Sequence, residues 1–166
     1  MPTDFMTLLR RDHTDLQQEL TQLLDPTATI AELRSSLDGV RLGLTAHAEA
    51  EDIVLAKFEL VPVLQVLVAQ ARAAHLAQEG ALSALVTARP GTATWRDRAH
   101  HLRELVHHHA QQEEKYLLPA LAQHAPKDEM ARLAGAFATE RLRQLAMLQP
   151  SAPVFMPFVL SERRAG

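Results

Sequence analysis

A histidine followed four residues later by a glutamate occurs four times in this chain, as His47/Glu51, His75/Glu79, His100/Glu104 and His109/Glu113. With 9 histidines and 12 glutamates among 166 residues, chance placement gives roughly 0.6 such pairs. Residues four apart on an α-helix share a face, one turn above the other, so each pair can aim an imidazole and a carboxylate at one point. Imidazole nitrogen and carboxylate oxygen are good ligands for a di- or trivalent cation. Without a cation, several carboxylates facing one core must be paired or protonated. Metal binding is therefore the chemistry that the repeated spacing suggests.

Holding such pairs together takes long helices with continuous apolar faces, and the periodicity predicts five of them. The first runs from about Thr3, a candidate N-cap, to Leu24, with the stripe Phe5, Leu9, His13, Leu16, Leu20, Leu24; Asp25-Pro26 ends it. The second, from about Thr29 to Phe58, reads Ile30, Leu33, Leu37, Val40, Leu44, His47, Glu51, Val54, Phe58. The third starts near Pro62, reads Leu64, Val68, Ala71, His75, Glu79, Leu82, Val86, and stops before Arg89-Pro90-Gly91. The fourth, with Thr94 as candidate cap, reads Leu102, Val106, His109, Glu113, Tyr116, Ala120, and ends near His124-Ala125-Pro126. Each of these four helices carries a histidine on its inward stripe, and three add a glutamate. His100/Glu104 falls off the stripe toward solvent, where its meaning is a weak surface interaction.

At ~1.5 Å per residue, the depths of His13, His47, His75 and His109 agree to about one turn if neighbouring helices run antiparallel. No period-two pattern appears, and the short breaker segments make sequential helices antiparallel neighbours. The expected fold is all-α: an up-down-up-down four-helix bundle with an additional C-terminal helix from about Lys127 to Leu148, which presents Met130, Leu133, Phe137, Leu142 and Leu145. Residues 1–150 are read as one domain. The apolar tail 151–166, interrupted by Pro153 and Pro157, is expected to lie along the bundle or in a subunit contact.

Composition narrows the partners. A net charge of -3, from 17 Lys+Arg against 20 Asp+Glu, gives no basic footprint for nucleic acid or an acidic membrane. There is no cysteine, which excludes disulfide scaffolds, thiolate zinc sites and iron–sulfur clusters. The most apolar stretch, residues 53–69, is broken by Lys57, Glu59, Pro62 and Gln65 and does not read as a membrane span. No secretory signal is visible at the N-terminus, so the expectation is a cytoplasmic protein, monomeric or homodimeric, whose partner is a small molecule.

The combination of His13, then His47-Ala48-Glu49-Ala50-Glu51-Asp52, His75, and His109-Ala110-Gln111-Gln112-Glu113-Glu114-Lys115-Tyr116-Leu117-Leu118-Pro119 resembles the hemerythrin-like family in its HHE cation-binding branch, over about residues 8 to 122. The resemblance implies two non-haem iron ions with a bridging oxo or hydroxo group in the bundle core, bridged by Glu51 and Glu113 and capped by His13, His47, His75 and His109. One position departs from the pattern. Oxygen-carrying hemerythrins place a second histidine four residues after the one in the third helix, and here that position is Glu79. As a ligand, Glu79 would add negative charge and favour ferric iron, turning the chemistry from reversible oxygen carriage toward oxidation, peroxide chemistry or sensing.

In the fourth helix, His108/Glu113 or His109/Glu114 would give the five-residue spacing of those relatives; the aliphatic stripe favours His109 with Glu113. His100, His101, His107 and His124 are expected in solvent, and Trp95 at the end of the core. Tyr116 is expected to pack in the core or to hydrogen-bond a metal-bound oxygen species. The metal set is thus His13, His47, Glu51, His75, Glu79, His109 and Glu113. The expected function is binding of, or reaction with, dioxygen, peroxide or nitric oxide. The alternatives are iron handling, or a zinc-binding or metal-free helical interaction module.

Overall fold

Short polar signals start each helix. In the computed structural model, which describes residues 4–149, Asp4 caps α1 (Phe5–Gln22) by accepting from the Thr7 N–H at 2.8 Å. Thr29 and Glu32 form a reciprocal capping box on α2 (Ile30–Leu55), satisfying amides that the first turn leaves unpaired. A 3₁₀ turn (Ala56–Leu60) closes α2, and Pro62 opens α3 (Pro62–Val86), where its missing N–H costs nothing. Gly91, at φ 80°, reverses the chain into α4 (Ala93–Gln112). The cap of α4 is Thr92, accepting from Trp95 N–H, rather than the expected Thr94.

The fourth rod does not stay α-helical. It passes through a π-helical segment (Glu113–Leu117), in which Leu118 N–H reaches back five residues to the Glu113 carbonyl, into α5 (Leu118–His124). Last comes α6 (Lys127–Leu148).

Around the bundle, α1 packs on α2 and α4, and α3 packs on α2 and α4, while α6 lies against α2 and α1. This is the expected four-helix architecture with one helix added. The apolar interior falls into two clusters. One contains Phe5, Leu9, Val54, Leu64, Leu117, Leu121 and Phe137, and the other Leu16, Leu20, Leu44, Leu82, Trp95, Leu102 and Val106. Between them each helix turns polar at one level: His13 between Leu9 and Leu16, His47 and Glu51 between Leu44 and Val54, His75 between Ala71 and Leu82, His109 and Glu113 between Val106 and Leu117. The depth argument from the sequence thus resolves into one polar layer clamped by apolar packing above and below. Trp95 closes one end of the core, 1% exposed, its indole N–H donating to the Leu23 carbonyl at 2.9 Å. No described helix is long and apolar enough to cross a membrane. The expectation for the tail 151–166 lies outside the described residues.

Candidate metal centre

Six of the seven expected ligands meet in the polar layer. His13, His47, Glu51 and Glu113 each offer a ligand atom within 4.8 Å of the others, and so do Glu51, His75, His109 and Glu113. All six are buried, at most 5% exposed. The two quartets share both glutamates, so the layer defines two adjoining positions with two imidazoles each and a pair of carboxylates between them.

The Nε2 atoms face inward. His13 Nε2 lies 3.1 Å from Glu113, His47 Nε2 3.4 Å from Glu51 and His109 Nε2 3.2 Å from Glu113. Nε2 of His75 lies 2.9 Å from that of His109, a spacing for which one nitrogen must carry the proton and the other accept it.

Three of the four rings are held from behind by a carboxylate on Nδ1: Glu114 on His13 at 2.9 Å, Asp12 on His47 at 2.7 Å and Asp52 on His75 at 2.8 Å. An ionised carboxylate only accepts, so Nδ1 carries the hydrogen and the Nε2 lone pair is left for the core. Asp12 is held in turn by Arg141 of α6, whose Nε and Nη2 donate to its two oxygens at 3.0 and 2.9 Å, the bidentate geometry that guanidinium favours. Phe137, one turn earlier on α6, lies nearly perpendicular to the His47 ring at 5.9 Å between ring centres.

Burial sets the charges. It pushes Glu51 well above the usual carboxylate range, with the charge of Glu113 adding to it, and raises Glu113 to about 7. Burial also pulls His47 down to about 4 against the raising influence of Asp12. His109 falls further, from burial and then from the neighbouring histidines. For His75 burial lowers and Asp52 and Glu51 raise, with a net rise; for Asp12 burial raises, but His47 and Arg141 outweigh it and the net is a fall.

Two expectations need correction. Glu79 does not join the centre: its side chain is exposed, and Gln78, 2% exposed, takes the inward position. The buried stripe of α3 runs Leu64, Val68, Ala71, His75, Gln78, Leu82, Leu85, alternating steps of four and three, whereas a reading through Glu79 takes two fours in succession and drifts off the face. Val86 is correspondingly 43% exposed. Tyr116 is 46% exposed, and Leu117 lies in the core in its place, because the π turn after Glu113 shifts the inward register by one residue. In the fourth rod His109 and Glu113 face the core, His108 is exposed, and Glu114 turns to His13. His100, His101, His107, His124 and Glu104 are exposed.

The supporting residues Asp12, Asp52, Glu114 and Arg141 were not foreseen as such. The first three carry a signal in hindsight, since each acid is the immediate neighbour of an inward ligand on its own helix, about 100° further round, and so reaches the adjacent helix.

The sequence model of the family described as Hemerythrin HHE cation binding domain matches residues 4–121, the span from the cap of α1 into the first half of α5. The chain belongs to the hemerythrin HHE family. No curated protein and no solved structure matches it. The hemerythrin match ends before α6, so Phe137 and Arg141 reach this centre from outside the matched domain.

Do the residues fit a metal? Both oxygens of Glu51, both of Glu113, and Nε2 of His13 and His47 are buried without a hydrogen-bond partner. Among the described ion pairs, the two glutamates meet only histidines. Buried acceptors of this kind, turned toward one another with lone pairs inward, are costly for a metal-free interior and suited to a cation. The hemerythrin-type core of this chain thus carries a buried cluster of four histidines and two glutamates whose chemistry fits a metal ion.

Proposed function

We propose that the cluster holds two non-haem iron ions, with Glu51 and Glu113 shared between them, His13 and His47 on one and His75 and His109 on the other, and that the centre binds or reacts with a small oxygen species. The observation that carries this reading is the sharing of both glutamates by two four-residue ligand sets. An all-nitrogen-and-oxygen donor set without thiolate suits iron, and two adjoining positions with common carboxylates suit a pair of ions. Such a pair supplies redox chemistry toward dioxygen, peroxide or nitric oxide.

The chain's own residues set the conditions for that chemistry. Asp12, Asp52 and Glu114 fix three imidazoles with Nε2 inward and raise their basicity as ligands. The apolar clusters on both sides limit water and keep the local dielectric low. With two imidazoles and two carboxylates at each position, and Glu79 outside the set, each six-coordinate ion keeps about two places for exogenous groups. The extra negative charge expected from Glu79 falls away, and with it the argument from that residue against reversible ligand binding.

The test is reconstitution of the purified chain with ferrous iron, followed by metal analysis and visible spectra before and after reduction and exposure to air, nitric oxide or peroxide. About two irons per chain with ligand-dependent absorption is the expected result.

A further inference from the structure

Helix α3 carries two seams. The inward one, from Leu64 through His75 to Leu85, is met by the bundle. On the opposite side Val66, Ala69, Ala73, Leu76, Gly80 and Ser83 follow one another in steps of three and four, the 3.5-residue period of a contact between two helices. All six are exposed, Val66 and Leu76 at 63% and 64%, and a Cβ placed on Gly80 meets nothing within 4 Å. Charge is scarce there too. Arg72 and Glu79 are the only charged residues in the 25 of α3, whereas α1, α2, α4 and α6 carry five to seven each. The solvent side of an amphipathic helix is ordinarily where its charges stand, and an apolar one that keeps the seam period is a packing face.

The two charges say what packs on it. Seven residues apart, Arg72 and Glu79 stand two turns apart on one flank of the outward seam. A second copy of α3 laid antiparallel about a twofold axis sets Val66 on the partner's Ser83, Ala69 on the partner's Gly80 and Ala73 on the partner's Leu76, with at most one bulky side chain in each layer. In that same register the flanking positions bring Arg72 opposite the partner's Glu79, and Glu79 opposite the partner's Arg72. The other flank, Val63, Gln70, Ala77 and Ala84, holds no charge. A parallel pair sets Arg72 and Glu79 against the partner's Ala77 and Ala84 and leaves both charges unanswered. Apolar seam and charges thus point independently to one axis at the middle of α3. Arg72 already meets Glu59 at 2.6 Å through Nη1, but a guanidinium has five N–H donors and can hold a second carboxylate without releasing the first.

We propose that the outer face of α3 is a self-association surface: two copies pack α3 against α3, antiparallel about an axis between Ala73 and Leu76, with an Arg72–Glu79 pair on each side of the axis. Glu79, which is turned away from the His/Glu cluster, has its role in this contact. The interface does not depend on which metal the cluster holds.

One helix against one helix is a small interface, so a reversible dimer with a dissociation constant on the order of micromolar is expected. Sedimentation of the full chain over a concentration series reads it, with far-UV circular dichroism to confirm the fold of each variant. Leu76→Glu, at the middle of the seam and exposed in the single chain, is expected to keep its fold and to weaken the dimer about a hundredfold or more. Arg72→Glu and Glu79→Arg are each expected to weaken it about tenfold, since the twofold axis turns both pairs repulsive at once, and the two substitutions together to restore it. Leu142→Glu, exposed on α6, is expected to change nothing. A chain that stays monomeric to about 1 mM, a dimer that survives Leu76→Glu, or one broken by Leu142→Glu overturns the interface. Single charge reversals without effect, or a double exchange that fails to restore the dimer, overturn the antiparallel register and with it the choice of a second copy as the partner.

Discussion

The two positions of the centre have the same inner donors and different surroundings. At the first, His13 is braced by Glu114 and His47 by Asp12, which Arg141 clamps from α6, while Phe137 packs nearly perpendicular to the His47 ring. At the second, His75 is braced by Asp52, but no hydrogen bond to His109 Nδ1 is found among the described residues. The braces follow the ring of helices: α1 supports the histidine of α2, α2 that of α3, and the π-helical segment after α4 that of α1. Helix α3 offers no acid to α4, and its inward side chain after His75 is the amide Gln78. Ligand identity alone makes the two positions equivalent; the residues behind the ligands differ, with a carboxylate on both rings at the first and on one at the second, while open space reaches both, at His13 on one side and at His75 and His109 on the other. Outer partners of metal-bound histidines alter affinity by about 10- to 100-fold, enough to make the two ions proposed for this cluster unequal.

The most severe way to break this comparison is to remove a shared ligand. Glu113→Ala is expected to lose both ions, since each quartet contains Glu113, whereas Glu104→Ala, at an exposed site, keeps full metal content by elemental analysis; equal losses would refute the assignment. Next, Asp12→Asn is expected to weaken the first position by about 10- to 100-fold, making release of two ions to a chelator nearly synchronous. In the wild type release is expected in two phases, the ion at His75/His109 leaving first. A single phase in the wild type would erase the asymmetry. Arg141→Ala, which leaves Asp12 in place but unclamped, is expected to shift the slow phase in the same direction by a smaller factor, read in the same chelation trace.

A gentler probe is pH. Glu51 and Glu113, raised by burial, keep protons in the metal-free fold that glutamates of the unfolded chain, near 4.5, have already lost. The contribution of Glu113 to stability is present below that value and lost as pH rises through about 7, and Glu51 acts in the same sense. His75, raised from 6.5, acts in the same sense. His47, lowered to about 4, acts oppositely, but only below its unfolded value of 6.5. Above pH 6.5 the metal-free protein is therefore expected to lose stability with rising pH in urea unfolding, while metal affinity rises in competition titrations because binding displaces protons. The smallest effect is expected from Tyr116→Phe: with its side chain 46% exposed, metal content and spectrum should not change.

What the sequence disclosed and what it hid separate along a physical line. His13, His47, Glu51, His75, His109 and Glu113 were legible because each interrupts an apolar stripe of its own helix, and a stripe is a one-dimensional pattern. Glu79 and Tyr116 were misplaced by small departures from regular stepping: the alternation of fours and threes along α3, and a π turn whose wider bond the fourth rod does not advertise in advance. Asp12, Asp52 and Glu114 act across helix pairs, so their roles depend on which helices are neighbours. Arg141 and Phe137 sit on α6, where the stripe reading extended to Leu142, which is 66% exposed. The packing of that helix against α1 and α2, rather than its own periodicity, decides which side chains reach the centre.

The central claim is two ions sharing Glu51 and Glu113 in one buried layer, and the direct measurement is metal stoichiometry of the purified, iron-reconstituted chain by elemental analysis, with the visible spectrum of the same sample. About two irons per chain, with absorption that changes on reduction and returns in air, is the result predicted here. A stably folded chain that retains one zinc, or no metal at all, under the same conditions would contradict it.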